Sequence, residues 1–198
     1  MFNLEVKNYK ALNELAEHDG IVIFGGSNDM TIPLCELKQA FSIESNLYNR
    51  SFRELSIENA IEIYDSCIAT LEPETVLLHI GEADLDYFAK QPSDFDKKYF
   101  ELIAHIKDHN RKCRIAIISL KNENNSSAIT ELNKHLKYIS QCEHCEFGDI
   151  ASKRVWNPQG TKDTISFIYS MGFVRPLKNR HPLYDLVKIL FCYEQPCV

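Results

Sequence analysis

The chain has 198 residues, of which 44% are hydrophobic and 25% are charged, and its formal net charge is −6. This length and this composition are typical of one globular domain with a substantial core. The acidic balance argues against a nucleic-acid partner, and no apolar run is long enough to span a membrane. The charged N-terminus lacks the apolar segment of a secretion signal, so we expect a cytoplasmic protein.

The seven cysteines are expected to be reduced thiols, since an odd number without a secretion signal does not indicate a disulfide framework. One spacing resembles a zinc motif, because Cys142 and Cys145 flank His144. A structural zinc site usually needs four ligands in two such pairs, and the sequence has no second pair. We therefore expect neither a metal nor another cofactor, and we interpret the two thiols as incidental residues at a helix end.

Apolar residues recur with helix and strand periods in alternation along the chain. In chain order, the pattern predicts a helix near 8–17, a strand at 21–24, a helix at 33–41, a short strand at 47–48, a helix at 56–71, a strand at 75–80, a helix at 94–110, a strand at 114–120, a helix at 127–141, a strand at 145–149 and a helix at 181–191. Leu12, Leu15 and Ala16 are the predicted apolar positions of the first helix, and Ser56 is the predicted N-cap of the third.

The predicted strands are continuous apolar runs separated by helices, which is typical of a parallel sheet covered by helices on both faces. We therefore predict an α/β protein with a three-layer α/β/α flavodoxin-like fold and about five parallel strands. The whole chain, 1–198, is expected to form one domain, with an irregular insertion at about 151–180. Long insertions in compact domains are often functional.

Polar segments follow the first three strands, at the edge of the sheet where parallel α/β proteins bind ligands. Residues 25–29 (GGSND) follow the first strand, 49–51 (NRS) the second and 81–84 (GEAD) the third, and His181 with a following proline precedes the last helix. Ser27 is a candidate nucleophile and His181 a candidate base. A serine hydroxyl needs a neighbour that takes its proton, and an imidazole can do so near neutral pH.

The order and spacing of these segments resemble the sequence blocks of the SGNH/GDSL hydrolases, and the resemblance covers roughly residues 21–191. That family consists of esterases and acylhydrolases on a flavodoxin-like sheet. The resemblance implies that Ser27 attacks an ester carbonyl and that His181 transfers the proton. It also implies a small-molecule ester as the substrate, such as an O-acyl group on a carbohydrate or another small metabolite.

The resemblance further places oxyanion-hole or pocket residues in the segments after the strands. They are Gly26, Asn28, Asn49, Arg50, Gly81, Ala83 and Asp84. The chain departs from the family's pattern at Ser51 and Glu54, which stand in place of glycines, at Ala83, which stands in place of an oxyanion-donating asparagine, and at Lys178, which stands in place of the aspartate that orients the histidine. Losing one oxyanion donor typically costs about 10²–10³-fold in rate, and losing the orienting acid of a triad costs about 10⁴-fold.

Other groups could replace the missing ones. The candidates for orienting His181 are a backbone carbonyl and the carboxylates of Asp149, Asp163 and Asp185. The candidates for oxyanion donation are Asn28, Asn49 and the amides of Ser27 and Arg53. Arg50 could neutralise an anionic group of the substrate.

Two other functions stay open at this point. The departures favour a catalytically impaired protein that uses the same pocket to bind a small ligand or a partner. An acyltransferase would need the insertion at 151–180 to exclude water.

Several polar residues are expected to have structural positions. Asp84 is expected to bond nearby backbone amides, and His79, inside an apolar strand, is expected to be a buried and satisfied histidine. The histidines expected on helix surfaces are His105, His109, His135 and His144.

Overall fold

The computed structural model describes residues 2–40, 43–122 and 125–150 together with residues 186, 187, 190 and 191. His181 and the predicted insertion at 151–180 lie outside the described residues. The helices are α1 (Asn3–Asn13), α2 (Leu34–Ala40), α3 (Ile57–Cys67), α4 (Leu85–Lys90), α5 (Pro92–His109) and α6 (Ser127–Cys142), and the strands are β1 (Ile21–Gly25), β2 (Leu47–Asn49), β3 (Thr75–His79), β4 (Arg114–Ile118) and β5 (Glu146–Gly148). Short 3₁₀ turns occupy Ser27–Thr31, Ala69–Leu71 and Glu82–Asp84, and residues 186, 187, 190 and 191 are helical. No helix among these residues is long and apolar enough to cross a membrane.

The five strands form one parallel sheet in the order β2-β1-β3-β4-β5, which confirms the predicted flavodoxin-like fold. β1 lies between β2 and β3, so the chain segments that leave these three strands meet at the carboxyl edge of the sheet. The register sets Gly25 of β1 directly beside His79 of β3. The sheet therefore brings the turn after β1 next to the end of β3.

Alternate residues of the strands enter two separate cores, because successive side chains of a strand point to opposite faces. Val22 and Phe24 of β1 pack with residues of α3, α5 and α6, whereas Ile23 packs with α2 and with the helical residues near the C-terminus. All five residues of β3 are buried. Helices cover both faces of the sheet, which explains why the strands are apolar at successive positions.

The apolar face of α1 differs from the prediction. Leu12, a predicted apolar position, is 52% exposed, and Leu15, which lies beyond the end of the helix, is 85% exposed. Ala16, the third predicted position, packs against the core. Phe2 and Tyr9 instead pack edge-on against Phe52, with ring centroids 5.6 and 5.0 Å away. The helix begins at Asn3 rather than near residue 8, since its aromatic anchors precede the leucines.

One further helix was not predicted, and one predicted helix is divided. α4 was not predicted, because six residues are too few for a periodic pattern to be recognised. The predicted helix at 56–71 is divided at Ile68 into α3 and a 3₁₀ turn. Glu72 ends that turn in the left-handed conformation, with a φ of 47°.

Asp84 caps helix α3 from the turn that follows β3. Its two carboxylate oxygens accept the backbone N–H of Ile57 at 3.1 and 3.0 Å. The predicted N-cap, Ser56, makes no side-chain capping bond. Burial raises the pKa of Asp84 to about 6, and the bond from Ile57 offsets only part of that shift. This bond ties the end of β3 to the start of α3.

The raised pKa means that the charge of Asp84 destabilises the folded chain. Because the folded chain binds the proton with a pKa of about 6 and the ordinary value is 3.8, the contribution of this group to stability is full below about pH 4 and is lost as the pH rises through about 6. Asp84→Asn keeps an oxygen for the Ile57 N–H and carries no charge. We expect the variant to gain up to about 3 kcal/mol in free energy of unfolding, relative to the native chain, between about pH 4 and pH 7.5.

Urea denaturation of both chains across this pH range measures the effect, and the contributions of all other titrating groups cancel in the difference. A difference between the two chains that stays constant with pH would contradict the prediction.

Candidate active site

Ser27 begins the 3₁₀ turn that follows β1, and its side chain is exposed at the carboxyl edge of the sheet. Its Oγ accepts the backbone N–H of Glu54 at 3.0 Å. Glu54 lies in the loop between β2 and α3 and has a φ of 54°, in the left-handed region that favours glycine. The position at which the family resemblance implies a glycine therefore keeps a glycine-like backbone, and its amide lies against the candidate nucleophile.

A buried carboxylate–imidazole pair lies close to this turn. Asp29 is 3% exposed and His79 is 7% exposed, and Nδ1 of His79 lies 2.9 Å from both carboxylate oxygens of Asp29. An ionised carboxylate only accepts hydrogen bonds, so Nδ1 carries a proton. Nε2 of His79 is buried and has no hydrogen-bond partner within the described part of the chain. The predicted satisfaction of His79 thus applies to one ring nitrogen, and Nε2 stays unpaired within the described residues.

Gly25 makes room for this pair. A Cβ at this position would collide with the carboxylate of Asp29 and would lie 3.3 Å from the Cβ of His79. The same carboxylate accepts the backbone N–H of Gly26 at 3.1 Å. Packing therefore requires the first glycine of this pair, and the amide of the second holds the carboxylate in place.

A cavity of about 450 Å³ opens at the carboxyl edge of the sheet. Its buried lining includes Asp29, His79 and Phe191, and its exposed lining includes Asn28, Glu82 and Lys121. The side chain of Asn28 donates to Glu82 at 2.7 Å. Asn28 and Asp29, which directly follow Ser27 in the chain, line the cavity, whereas Ser27 and Glu54 are not among its described lining residues. Its volume is within the range of small-molecule pockets.

Asn49 connects the end of β2 to the turn after β1. Its Nδ2 donates to the backbone carbonyl of Asp29 at 2.7 Å, and its Oδ1 accepts the backbone N–H of Ser51 at 3.0 Å. The side-chain amide is thus engaged by the protein itself.

Arg50 is directed toward α1. It is 4% exposed, and its Nε and Nη2 donate to Oδ1 of Asn13 at 3.0 and 2.6 Å while Nη1 donates to the carbonyl of Asn49 at 2.8 Å. The guanidinium also lies 4.9 and 5.5 Å from the ring centroids of Tyr9 and Tyr48. Burial lowers the pKa of Arg50. These contacts assign Arg50 to the anchoring of α1.

The segment after β3 supplies backbone shape rather than side-chain donors. Gly81 has a φ of 134°, which a residue with a Cβ rarely adopts, and a Cβ there would lie 3.2 Å from Leu132. Ala83 is exposed and has no donor group. Asp84 is occupied by the cap of α3.

Asp149 is the predicted orienting acid that falls within the described residues. It follows β5, and its Oδ1 accepts the hydroxyl of Ser119 at 3.4 Å. The other members of the predicted constellation lie with His181 outside the described residues; they are Asp163, Lys178 and Asp185. The structure brings Ser27 together with Asn28 and Asn49 at one edge of the sheet, and the pairing of Ser27 with His181 stays a prediction.

Asp29 and His79 had no assigned role in the site predicted from the sequence. Part of the signal was available, because Asp29 follows Ser27 by two positions and His79 ends a strand that the predicted order sets beside β1. Their pairing depends on the directions of two side chains, which an apolar pattern does not give.

No protein-family model matches the sequence, and no curated protein matches it. Solved structures do match. A protein from Streptococcus pneumonia, provisionally described as a platelet activating factor, has a TM-score of 0.65 at 15% identity over 86% of this chain and 90% of that chain. An acetyl xylan esterase has a TM-score of 0.56 at 12% identity over 87% of this chain and 98% of that chain. An esterase of the SGNH-hydrolase family has a TM-score of 0.53 at 12% identity over 79% of this chain and 94% of that chain.

These similarities extend over most of each chain, while the sequence identity is 15% or lower in all three. Similarity at such identity is a similarity of fold. Together with the strand order, it shows that the chain has the three-layer α/β/α fold of the SGNH/GDSL hydrolases.

Proposed function

We propose that this protein is a serine esterase or acylhydrolase of the SGNH type that cleaves an ester of a small molecule. The observation that carries the proposal is the contact between the hydroxyl of Ser27 and the backbone N–H of Glu54. An amide beside the attacking oxygen lies near the position at which the carbonyl oxygen would become negatively charged, which supports a role in oxyanion stabilisation. The fold and the cavity lined by Asn28 and Asp29, which directly follow Ser27 in the chain, support the same function.

In the proposed reaction, Oγ of Ser27 forms a bond to the ester carbonyl carbon while its proton passes to an imidazole. The N–H of Glu54 then donates its hydrogen bond to the former carbonyl oxygen, now an oxyanion, instead of to Oγ of Ser27. The alcohol then leaves with the proton. In the second half of the reaction, water attacks the acyl-enzyme while the imidazole takes a proton from it, and the imidazole returns this proton to Oγ of Ser27 as the acid leaves. His181 is the proposed base, and the sequence resemblance is what supports it.

The Asp29–His79 pair supports a hydroxylated substrate. Nδ1 of His79 lies against Asp29, its buried Nε2 has no partner within the described residues, and the residue lines the cavity. A buried polar atom without a partner costs about 1–3 kcal/mol, which a substrate hydroxyl would recover by forming a hydrogen bond with it. We therefore propose an O-acylated carbohydrate or a similar polyol ester as the substrate class, in which His79 contacts an unacylated hydroxyl.

The net charge of −6 argues against a nucleic-acid partner. The proposed location is the cytoplasm, as the sequence predicts.

Ser27→Ala removes the proposed nucleophile and leaves the turn after β1 in place. We expect the native chain to react with a fluorophosphonate probe and to hydrolyse p-nitrophenyl acetate. The variant should lose the label and at least about 10³-fold in kcat/KM, because the residual rate comes from binding and backbone donors alone. Intact-mass spectrometry measures the labelling, and nitrophenolate absorbance measures the rate.

Ser51→Ala is the matched control, because Ser51 is buried in the neighbouring loop and its hydroxyl has no partner within the described residues. This variant should keep both the label and the rate. Labelling that persists in Ser27→Ala would place the reactive group elsewhere and overturn the proposal.

His79→Asn keeps a donor near the position of Nδ1 and removes Nε2. Because one hydrogen bond to the substrate is lost, we expect kcat/KM for an acetylated monosaccharide to fall about 3- to 10-fold, mainly through KM. The rate with p-nitrophenyl acetate, which has no sugar hydroxyl, should be unchanged. An equal loss with both substrates would contradict the proposed contact and would assign His79 to the chemical step.

A second candidate function is a binding protein with an impaired hydrolase site. The observation that favours it is the lack of available side-chain donors at the predicted oxyanion positions in the described part of the chain. Asn49 donates to the backbone carbonyl of Asp29, Asn28 donates to Glu82, and Ala83 has no side-chain donor. In that case the native chain would neither take the label nor hydrolyse the ester. An unacylated monosaccharide would raise its melting temperature, and His79→Asn would abolish the rise.

A further inference from the structure

A cluster of metal-ligand side chains lies on the helices α3 and α5. Asp65 of α3 and the pair His105 and His109 of α5 bring one carboxylate oxygen and two imidazole nitrogens within 4.8 Å of one another. The Nε2 atoms of His105 and His109 lie 2.6 and 3.5 Å from the same oxygen, Oδ1 of Asp65. The two histidines are four residues apart on one helix, which sets their side chains on one face.

The cluster is separate from the candidate active site at the carboxyl edge of the sheet. α3 leads from the carboxyl end of β2 to the amino end of β3, and α5 leads in the same sense to β4, so the last turns of both helices lie at the amino edge of the sheet. Strands of this length place the two edges about 15 Å apart. The cluster therefore forms a site of its own.

The hydrogen bonds of His109 leave its Nε2 facing the carboxylate. Nδ1 of His109 approaches the backbone carbonyl of His105 at 3.0 Å, and a carbonyl only accepts, so Nδ1 carries the proton. Where the ring is neutral, its Nε2 presents a lone pair to Oδ1 of Asp65. Two lone pairs that face each other at 3.5 Å repel unless a proton or a metal cation lies between them.

Packing holds both rings while leaving the cluster open to water. Tyr64 meets the rings of His105 and His109 edge-on, with centroids 6.0 and 5.8 Å away. The side chains of Asp65, His105 and His109 are 46%, 28% and 42% exposed, so water can complete a coordination sphere. His109 is the last residue of α5, where the helix dipole favours a cation.

We propose that Asp65, His105 and His109 bind a divalent transition-metal ion, with Zn²⁺ as the favoured one. Two imidazoles and a carboxylate are a donor set that Zn²⁺ and its neighbours Ni²⁺ and Cu²⁺ accept. Bonds of about 2.0–2.2 Å in a tetrahedral site require ligand atoms about 3.3–3.5 Å apart. The 3.5 Å contact matches this spacing, and the 2.6 Å contact has to open by less than about 1 Å.

Binding replaces the Nε2 proton that His105 directs at Asp65, and this proton leaves to water or moves to Nδ1. The ion then joins α3 to α5 at the amino edge of the sheet. Because the ion binds only the folded chain and not the unfolded one, it stabilises the packing of the two helices.

The test is a titration of the metal-free chain with Zn²⁺, in which calorimetry measures binding and the melting temperature measures stabilisation. We expect one saturable site and a rise in melting temperature. His105→Gln and His109→Gln should each weaken binding about 10-fold or more, since the loss of a mere outer-shell partner already costs that much. A parallel titration of the native chain with Ni²⁺, followed by nuclear magnetic resonance, should broaden the ring signals of these two histidines first.

His135→Gln is the matched control, because His135 lies 2.8 Å from Asp96 but belongs to no metal-ligand cluster within the described residues. It should bind Zn²⁺ like the native chain. A site that persists in both histidine variants would lie at other groups, such as the thiols, and would overturn the proposal; so would the lack of any saturable site. The Ni²⁺ experiment uses the native chain and decides the matter even where a variant folds poorly.

Discussion

One buried side chain, Asp29, ties together the ends of three neighbouring strands. Its carboxylate holds His79 at the end of β3 and the amide of Gly26 just after β1, and its backbone carbonyl accepts the amide of Asn49 from β2. These bonds lie at the edge of the sheet, where polar groups need partners outside the strand ladder. The turn that carries Ser27 is fixed by the same bonds, because Ser27 and Asp29 belong to one 3₁₀ turn.

The buried pair constrains the residues around it. Gly25 cannot gain a Cβ without displacing the carboxylate, so the space for Asp29 depends on a glycine in the adjacent strand. Loss of the His79 ring would leave a buried carboxylate without its partner, which costs more than the hydrogen bond itself contributes. The interior of the sheet is thus held by apolar packing on both faces, whereas its carboxyl edge is held by a small polar network.

Features that repeat along the chain were predictable from the sequence, and single side-chain pairings were not. Continuous apolar strands separated by helices predict the parallel sheet, and the strand ends predict where Ser27 lies. His79 meets Asp29 across 50 residues, and His105 meets Asp65 across 40, and neither pairing has a period. The helix α1 shows the same limit, because the choice between Phe2 with Tyr9 and Leu12 with Leu15 depends on Phe52, which another segment supplies.

The candidate active site keeps part of the backbone conformation that the family resemblance implies, but it lacks the side-chain oxyanion donor that the same resemblance implies. Glu54 holds a left-handed φ and Gly81 holds a φ of 134°, so these two positions have the glycine-like shapes that the family resemblance implies, whereas Ser51 does not have a positive φ. A left-handed residue with a side chain costs about 1 kcal/mol or more, and the chain retains this cost at the amide that contacts Ser27. Ala83, by contrast, offers no oxyanion donor. On the proposed mechanism, catalysis therefore depends on backbone amides, and Asp29 with His79 decides which substrate the cavity holds.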